Sequence, residues 1–405
     1  MGPPTHSRQR RRFLRGSGGL AAGLLGLGLG SGAQGAPLPR VPGLPVSGYG
    51  QRARFESTKR WLTPARYLCS TASWSPLGDQ LGVITPSALH YERHHAGVPD
   101  IDPAAHRLLI HGLVQRPLEF SLEDLRRFPV TERICFLECS GNSYREWRGP
   151  GGVDVQQTHG LTSCSAWSGV LLRDLLAESG LMPEAQWLVA EGADAARLTR
   201  SLPLAKALDD TLIAYGQNGE ALRPEQGYPL RLLVPGYEGS ISVKWLSRLK
   251  LASEPVYSRE ETSKYTDLMP DGRARAFTLG MDAKSVITAP SPGRALLARG
   301  FQEIRGLAWS GRGRVTRVEV SVDGGQHWQD ATVHGPVLLV CHTRFTLPWH
   351  FDSEAAVLAS RCTDETGYVQ PSREALVAAR GLNSFYHYNA IQQWRVDGDG
   401  SVHNA

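Results

Sequence analysis

The period of the hydrophobic pattern changes once along the chain, and this change divides the sequence into two parts. Between about residues 80 and 255, helix-like and strand-like patterns alternate without a regular repeat. A polar stretch follows over 255–285, and beyond it alternation with a period of two prevails to about residue 395. With 405 residues the chain is also too long for one ordinary core. The sequence therefore predicts an α+β domain followed by an antiparallel β-sandwich of immunoglobulin-like type.

Local signals predict several elements within this outline. Ser121 and Asp124 form a capping box that begins a helix, and Gly180 supplies the C-cap of a later helix. In the second part, Asp323-Gly324-Gly325 predicts a hairpin turn after three alternating valines, with a return strand that begins at His327. The predicted elements of the first part are a strand over 107–114, helices over 122–128 and 170–179, and a strand over 241–251.

The chain ends with an aromatic, apolar segment over 383–394. Its residues follow neither the helical period nor the strand period. We expect such a segment to pack against the protein core or against a partner subunit.

The charge distribution argues against nucleic acid as a partner. The formal net charge is +5, but five arginines stand among the first 36 residues, where there is no acidic residue. The remaining 39 basic residues equal the 39 acidic ones, so the rest of the chain is neutral. No other stretch approaches the ~18 consecutive apolar residues that span a bilayer, so we expect no membrane contact.

The first 36 residues predict a signal peptide. The segment 10–15, RRRFLR, contains an arginine pair that is followed after one spacer by Phe-Leu. An apolar run over 18–30 and small residues over 33–35 complete the pattern. The paired arginines indicate twin-arginine export of a folded protein to the periplasm, with an ordinary secretory signal as the alternative. Residues 37–79 predict an extended N-terminal lead-in.

One of the six cysteines, Cys139, stands in a distinctive context. It follows a short apolar run and precedes Ser-Gly-Asn, a turn-forming tripeptide, so its sulfur is expected to point toward a cleft. Three interpretations are open: a metal ligand, a reactive nucleophile, or half of a disulfide with Cys135 or Cys164. The cysteine spacings contain neither a c-type haem motif nor a paired zinc motif.

Two further segments collect cationic and imidazole side chains. Tyr91-Glu92-Arg93-His94-His95, with His90 before it, indicates a polar pocket for an anion, although a solvated loop is the alternative. Arg231 and Lys244 flank the loop Pro235 to Gly239, whose backbone amides are suited to a phosphate group. A plain connection between two strands is the alternative there.

Several short motifs, in their order and separation, point to a known family. They are Arg93, His95, Cys139-Ser140-Gly141-Asn142, Arg231, Val243-Lys244-Trp245, Ala308-Trp309-Ser310-Gly311, Val318 to Ser321, Asp323-Gly324-Gly325 and Trp328. Together they resemble the sulfite oxidase family of molybdenum enzymes over nearly the whole mature chain. The resemblance implies a molybdopterin-binding catalytic domain of sulfite-oxidase type over 80–270. It also implies an immunoglobulin-like dimerisation domain with a C-terminal tail over 271–405.

The resemblance also implies an active site. Cys139 would be the thiolate ligand of molybdenum in a Mo-molybdopterin cofactor, since soft sulfur donors suit this metal. Arg93 would reach the substrate anion, and Tyr265 would hydrogen-bond the oxygen that is transferred from Mo(VI). The residues implied to hold the cofactor are Tyr91, Glu92, Arg93, His94, His95, Asp194, Gln226, Arg231, Ser242, Val243 and Lys244.

Departures from typical sulfite oxidases narrow the predicted substrate. Ser143 and Tyr144 stand where those enzymes have two arginines, and Gln226 stands where they have a histidine. The pocket should therefore be less cationic and bind sulfite less well. The segments 98–102, 158–160 and 387–392 are more similar to the molybdenum subunits of sulfane dehydrogenases in bacterial thiosulfate oxidation. Those enzymes oxidise sulfane sulfur on a cysteine of a carrier protein.

The resemblance carries expectations about partners. The chain lacks haem and iron–sulfur motifs, so electrons are expected to leave through a c-type cytochrome subunit, in a homodimer or a heterotetramer with that subunit. A sulfur carrier protein would present the substrate. The alternative functions are a sulfite dehydrogenase, a non-catalytic pterin-binding assembly module, and a thiol redox protein that uses Cys135 and Cys139.

Overall fold

A computed structural model describes residues 45–63, 70–151, 153–294 and 299–405. The described residues divide into two units, one over 45–56 and the other from residue 57 to residue 405. The predicted signal peptide, the first part of the lead-in and Cys69 lie outside the described residues. In the first unit, the described residues 45–56 form bends and turns. Among all described residues, the helices fall short of the length and apolar character that crossing a membrane requires.

The first part of the second unit mixes strands with short helices, as predicted. Its strands are β1 (Trp61–Leu62), β2 (Ala72–Trp74), β3 (Glu92–Arg93), β4 (Leu108–Gly112), β5 (Leu118–Phe120), β6 (Thr131–Glu138), β7 (Thr162–Leu171), β8 (Trp187–Gly192), β9 (Thr199–Pro203), β10 (Leu212–Gln217), β11 (Glu220–Ala221), β12 (Arg231–Leu233), β13 (Leu246–Ala252), β14 (Asp267–Leu268) and β15 (Ala274–Arg275). Its α-helices are α1 (Leu122–Leu125), α2 (Val155–His159), α3 (Leu172–Ser179), α4 (Leu204–Asp209) and α5 (Arg259–Thr262). Its 3₁₀ helices are Ser87–Leu89, Tyr144–Arg148 and Pro224–Gln226.

Two five-stranded sheets build most of this part. One has the order β11-β10-β7-β6, with β12 paired to β10, and is antiparallel. The other has the order β5-β4-β13-β8-β9, in which β4 and β13 run parallel. The smaller sheet β1-β2-β3 carries Arg93 at its edge. The candidate site residues therefore come from the ends of strands in different sheets.

The second part is a sandwich of two antiparallel sheets, which confirms the predicted fold class. Its elements are β16 (Lys284–Ala289), β17 (Gly300–Trp309), β18 (Val315–Ser321), β19 (Gln329–Asp330), β20 (Thr332–His334), β21 (Thr343–Phe351), β22 (Ala356–Asp364), α6 (Arg373–Arg380), β23 (Gln393–Val396) and β24 (Val402–Asn404). The sheet orders are β16-β17-β21-β20 and β19-β18-β22-β23-β24. Trp309 and Trp394 are fully buried between them.

One apolar cluster joins the two parts of the unit. It extends from Phe136 and Trp167 on β6 and β7 to Val286 and Leu358 in the sandwich. The hairpin of β14 and β15 contains the predicted domain boundary at residues 270–271. Because the cores are continuous, side chains of the sandwich reach the end of β6, where Cys139 follows.

Some element boundaries differ from the prediction for local reasons. The capping box of Ser121 and Asp124 is present, but α1 ends at Leu125. Val170 and Leu171 end strand β7, and α3 starts only at Leu172. The strand predicted over 241–251 begins at Leu246, because residues 241–245 turn and the Val243 amide donates to the Ile241 carbonyl at 2.8 Å. The return strand after the hairpin turn begins at Gln329, and α6 was not predicted.

Candidate active site

Cys139 lies directly after β6 on a turn that is held from both sides. Its amide donates to the Leu161 carbonyl at 2.9 Å, and its own carbonyl accepts from the Asn142 amide at 2.8 Å. The Asn142 side chain donates to Glu138 Oε1 and to the His159 carbonyl, each at 2.9 Å. An asparagine at this turn thus supplies hydrogen bonds that fix where the sulfur points.

The cysteine chemistry of the described residues favours a ligand role for Cys139. The five cysteines described are free thiols, which contradicts the disulfide interpretation with Cys135 or Cys164. All are buried except Cys139, which is partly exposed. Burial raises the pKa of the Cys139 thiol, while the Gly141 amide and Arg93 oppose that rise. The thiol is therefore protonated by itself, and a bound metal cation would displace the proton.

A cavity opens beside Cys139. Its wall includes Cys139 and eight other predicted site residues: Tyr91, Arg93, His95, Gln226, Arg231, Ser242, Lys244 and Tyr265. The other residues on the wall are His90, Leu137, Leu198, Gly239 and Ser240. Of the described residues, two arginines and a lysine line this cavity and no carboxylate does, so it is suited to an anionic ligand.

Arg231, the first residue of β12, is a buried cation that lacks a complete set of partners. Its guanidinium donates to the Gln226 carbonyl at 2.9 Å and to the Ser242 carbonyl at 3.1 Å. Within the described part of the chain, its Nε atom and the Nε2 atom of His90 are buried without a hydrogen-bond partner. Burial lowers the pKa of Arg231 to about 10, so it stays charged near neutral pH. The Nε–H of Arg231 is a donor that an anion in the cavity would satisfy.

Lys244 is held at the cavity wall by acceptors on three sides. Its ammonium donates to the carbonyls of Arg93 and Glu225, each at 3.2 Å, and to His94 Nδ1 at 2.8 Å. Burial, together with the charges of Lys244 and Arg93, lowers the pKa of His94 and keeps its ring neutral. The ring therefore accepts at Nδ1 and donates from Nε2 to Glu92 at 2.7 Å. The structure thus places Glu92 and His94 behind Lys244 rather than on the cavity wall.

Asp194 and Val243 also lie away from the wall and hold residues that form it. Asp194 Oδ1 accepts from the amide of Leu198 at 3.1 Å, and Leu198 lines the cavity. The Val243 carbonyl accepts from the amide of Leu232 on β12 at 2.8 Å. Direct contact of Asp194 or Val243 with a cofactor stays a prediction.

Gly239 and Ser240 were not predicted as site residues, although their loop was singled out. The Gly239 amide donates to the Glu138 carbonyl at 2.6 Å. A Cβ atom at residue 239 would lie 2.4 Å from the Tyr91 hydroxyl and 2.9 Å from the Glu138 carbonyl oxygen. Only glycine allows this close approach between the loop and the residue before Cys139.

Tyr265 presents its hydroxyl to the cavity beside His95. The two side chains are 3.0 Å apart between Oη and Nε2. Burial raises the pKa of Tyr265 well above its usual value, and burial together with Arg93 lowers the pKa of His95 to about 3. Both groups stay uncharged near neutral pH, so the phenol keeps a proton to donate. Tyr265 has a φ of 50°, a left-handed conformation that is uncommon for a tyrosine and concentrates at functional sites.

A buried arginine that sequence analysis missed supports Tyr265. Arg200, on β9, donates to Glu238 at 2.5 Å and to Glu261 at 3.0 Å, and also hydrogen-bonds Ser240. Its guanidinium carbon lies 4.4 Å from the centroid of the Tyr265 ring. A single arginine without a motif gave no sequence signal for this network.

The C-terminal aromatic segment packs against the Cys139 turn within the same chain. The His387 amide donates to the Ser140 carbonyl at 2.7 Å. The Phe385 ring stacks on Tyr144 with 4.7 Å between centroids, and it lies 3.3 Å from where a Cβ of Gly141 would be. Of the two expectations for this segment, the structure supports packing against the protein's own core.

Comparison with known proteins places the chain in a family. Residues 95–260 match the oxidoreductase molybdopterin binding domain, and residues 275–394 match the Mo-co oxidoreductase dimerisation domain. Mitochondrial sulfite oxidase from Mus musculus is 37% identical over 273 residues, which are 63% of this chain and 50% of that protein. The corresponding enzyme from Rattus norvegicus is 34% identical, over 76% of this chain and 61% of its own length. The chain thus spans about half to three-fifths of these relatives.

A solved structure matches over almost the full length. The sulfane dehydrogenase SoxCD from Paracoccus pantotrophus superposes with a TM-score of 0.89 at 48% sequence identity, over 92% of this chain and 97% of that chain. The cation-lined cavity with one thiol defines a site for an anionic, metal-bearing cofactor, and the chain belongs to the sulfite oxidase family of molybdenum enzymes. The resemblance to sulfane dehydrogenases found in the sequence is confirmed.

The residues present fit the Mo-molybdopterin cofactor of this family. The unpartnered Arg231 Nε offers a donor for a phosphate-bearing pterin, and Lys244 adds a basic group on the cavity wall. Of the five described cysteines, Cys139 alone lines the cavity wall, and its sulfur is a soft ligand for molybdenum. No cluster of three or more histidine, cysteine or acidic side chains suited to another metal ion occurs in the described ranges.

Proposed function

We propose that the chain is a periplasmic molybdenum oxidoreductase that oxidises sulfane sulfur carried on a cysteine of a partner protein. A c-type cytochrome subunit takes the electrons. The observation that carries this proposal is the thiol of Cys139 at a cavity lined by basic residues, on a turn that is followed by the stacked rings of Tyr144 and Phe385. The similarity to a structure described as a sulfane dehydrogenase supports the choice of substrate.

The side chains divide the work as follows. When bound, the molybdenum cofactor supplies two-electron oxo-transfer chemistry. Cys139 holds the metal, while Arg231 and Lys244 hold the anionic end of the pterin. Arg93 and Tyr265 orient the sulfur substrate, the first by charge and the second through its retained hydroxyl proton. Each turnover adds one oxygen atom from water to the terminal sulfur of the substrate and releases two protons and two electrons.

The rim of the Cys139 turn supports a sulfane substrate. Ser143 and Tyr144 are uncharged side chains, so neither offers a cation to the cavity. The Ser143 hydroxyl accepts from Lys284 at 3.0 Å, and the Tyr144 ring stacks on Phe385. Tyr386 continues the aromatic surface to Tyr265, with 5.2 Å between ring centroids. A persulfide on a protein cysteine packs well on such a surface, whereas sulfite, a small dianion, gains the charge of Arg93 but loses hydration against these rings.

Steady-state kinetics with the two substrates test this proposal. With ferricytochrome c as acceptor, we expect kcat/KM for a carrier protein that bears a cysteine persulfide to exceed that for sulfite by at least about ten-fold. A preference for free sulfite, with no effect of the carrier, would establish a sulfite dehydrogenase instead. Bound molybdenum without turnover on either substrate would establish a non-catalytic pterin-binding module.

Tyr144→Arg should shift the preference toward sulfite. A guanidinium at the rim adds a charge-assisted hydrogen bond to the dianion, so kcat/KM for sulfite should rise about ten-fold while turnover of the persulfide falls. Tyr257→Arg is the matched control, because Tyr257 is an exposed tyrosine that packs on Phe277, whereas Tyr144 packs on Phe385 at the Cys139 turn. An unchanged KM for sulfite in a folded Tyr144→Arg variant would remove the rim from the determinants of specificity.

Assembly and location belong to the same proposal. The match of residues 275–394 to a dimerisation domain supports a homodimer or a heterotetramer with the cytochrome subunit. Light scattering of the purified protein, with and without the cytochrome, measures this. The arginine pair in residues 10–15 supports twin-arginine export. Recovery of the mature chain from the periplasmic fraction tests the location.

A further inference from the structure

We infer that Lys284, a residue of the sandwich, is a positioning residue for the metal-binding turn of the catalytic part. The inference rests on Cys139 being the metal ligand, but not on the identity of the substrate. Lys284 begins β16, whereas Cys139 follows β6. The second part of the unit would then complete the metal site, in addition to any role in association with partners.

The Lys284 ammonium lies beneath the turn and is fully enclosed. Lys284 is 1% exposed and Glu138 is 0% exposed. The Nζ atom lies 3.0 Å from Glu138 Oε1 and 3.0 Å from Ser143 Oγ. The other carboxylate oxygen of Glu138 accepts from the indole nitrogen of Trp309 at 2.7 Å, and Trp309 also belongs to the sandwich.

These contacts join the two ends of the segment that carries the ligand. Glu138 immediately precedes Cys139, and Ser143 follows Asn142 at the other end of the turn. Ser143 has a φ of 64°, a left-handed conformation that costs energy for a non-glycine residue unless neighbours hold it. The hydrogen bond from Lys284 holds Ser143 in this conformation. Glu138 also accepts a hydrogen bond from the Asn142 side chain inside the turn. One ammonium group thus fixes the residues on both sides of the sulfur.

Stability alone does not account for this pair. The free energy of desolvating two buried charges is often as large as the free energy gained from their attraction. Neutral replacements of similar volume are therefore frequently as stable as the ion pair. An ion pair in that setting contributes geometry: it defines one arrangement of the groups around it. The arrangement here is the position of Cys139 relative to the cavity.

The test separates geometry from stability by replacing both charges at once. The double variant Lys284→Met with Glu138→Gln removes the charges without leaving either one buried alone. In the full-length apoprotein, amide hydrogen exchange of the peptide that covers residues 138–144 should become at least about ten-fold faster, the factor that one lost hydrogen bond is worth. The urea midpoint should fall less in this double variant than in Lys284→Met alone, which leaves the Glu138 carboxylate buried without its cation. In the holoprotein, the g-values of the Mo(V) electron paramagnetic resonance signal should shift.

Two further variants keep the test decisive. Ser143→Ala removes one contact of Lys284 without any change of charge, and it should accelerate exchange in the same peptide. Arg312→Met breaks an ion pair of the sandwich with Asp282, at 2.6 Å, and should leave that peptide unchanged. Wild-type exchange and wild-type g-values in a folded double variant, or in Ser143→Ala if the double variant does not fold, would overturn the inference. Exchange in the apoprotein is measured without substrate, so it is independent of which sulfur compound is oxidised.

Discussion

Replacing Cys139 with serine should lower turnover of sulfur substrates by at least about a hundred-fold. Removing only an outer partner of a metal ligand typically costs about 10–100-fold, and here the ligand itself is changed. Oxygen is a poorer donor to molybdenum than thiolate sulfur. Serine keeps the size of the side chain and the backbone hydrogen bonds to Leu161 and Asn142, so the fold should be retained. Turnover, molybdenum content by elemental mass spectrometry and circular dichroism measure the three quantities.

Cys135→Ala is the matched control for this substitution. Cys135 lies on β6, four residues before Cys139, is 1% exposed and does not line the cavity. Its variant should keep about one molybdenum per chain and turnover within about three-fold of the wild type, since it removes only a small buried group. Full turnover of Cys139→Ser would contradict the ligand assignment. Loss of activity in Cys135→Ala alone would instead favour a thiol redox protein.

Arg200→Met should destabilise the fold by about 3–5 kcal/mol, because it leaves Glu238 and Glu261 buried without their cation. Both carboxylates are 2% exposed, and Arg200 is 1% exposed. By itself, burial would raise the pKa of Glu238, but Arg200 and His387 outweigh burial and lower this pKa to about 2. Glu238 is therefore ionised near neutral pH, and methionine cannot compensate its charge. Urea unfolding of the full-length protein measures the change in the free energy of unfolding.

A compensating variant distinguishes a lost cation from poor packing. Arg200→Met combined with Glu238→Gln and Glu261→Gln removes all three charges, and most of the lost stability should return. The triple variant should still have impaired kcat, because the Tyr265 ring loses the guanidinium against which it packs. If the triple variant is no more stable than Arg200→Met, the loss comes from packing and not from the unpaired carboxylates.

Most of the fold was predictable from hydrophobic periodicity and from short motifs of neighbouring residues. The capping box at Ser121 and the hairpin turn at Asp323 depend on neighbouring residues, and both are present. The change from mixed patterns to alternation correctly separated the α+β part from the sandwich. The strand predicted over 241–251 begins only at Leu246, because apolar residues also alternate through the turn before it. Within that turn, Ser242 and Lys244 line the cavity.

Part of the site depends on contacts that a linear pattern does not contain. Cys139, Arg93 and Tyr265 were predicted from the family resemblance, and the structure brings all three to one cavity. Arg200 and Lys284 are single charged residues. Arg200 contacts Glu261, which lies 61 positions away in the sequence, and Lys284 contacts Glu138, which lies 146 positions away. Spacing in the sequence carries no information about such pairs. Only the folded arrangement of β6, β9 and β16 shows that these cations are buried.

The C-terminal segment that packs on the Cys139 turn has a consequence for the order of biosynthesis. The ribosome delivers Ser140 long before His387, and the hydrogen bond between them closes only when nearly the whole chain has emerged. Contacts between such distant positions form late in folding. The Cys139 turn thus receives this backbone contact only after strands β16 to β22 have been synthesised.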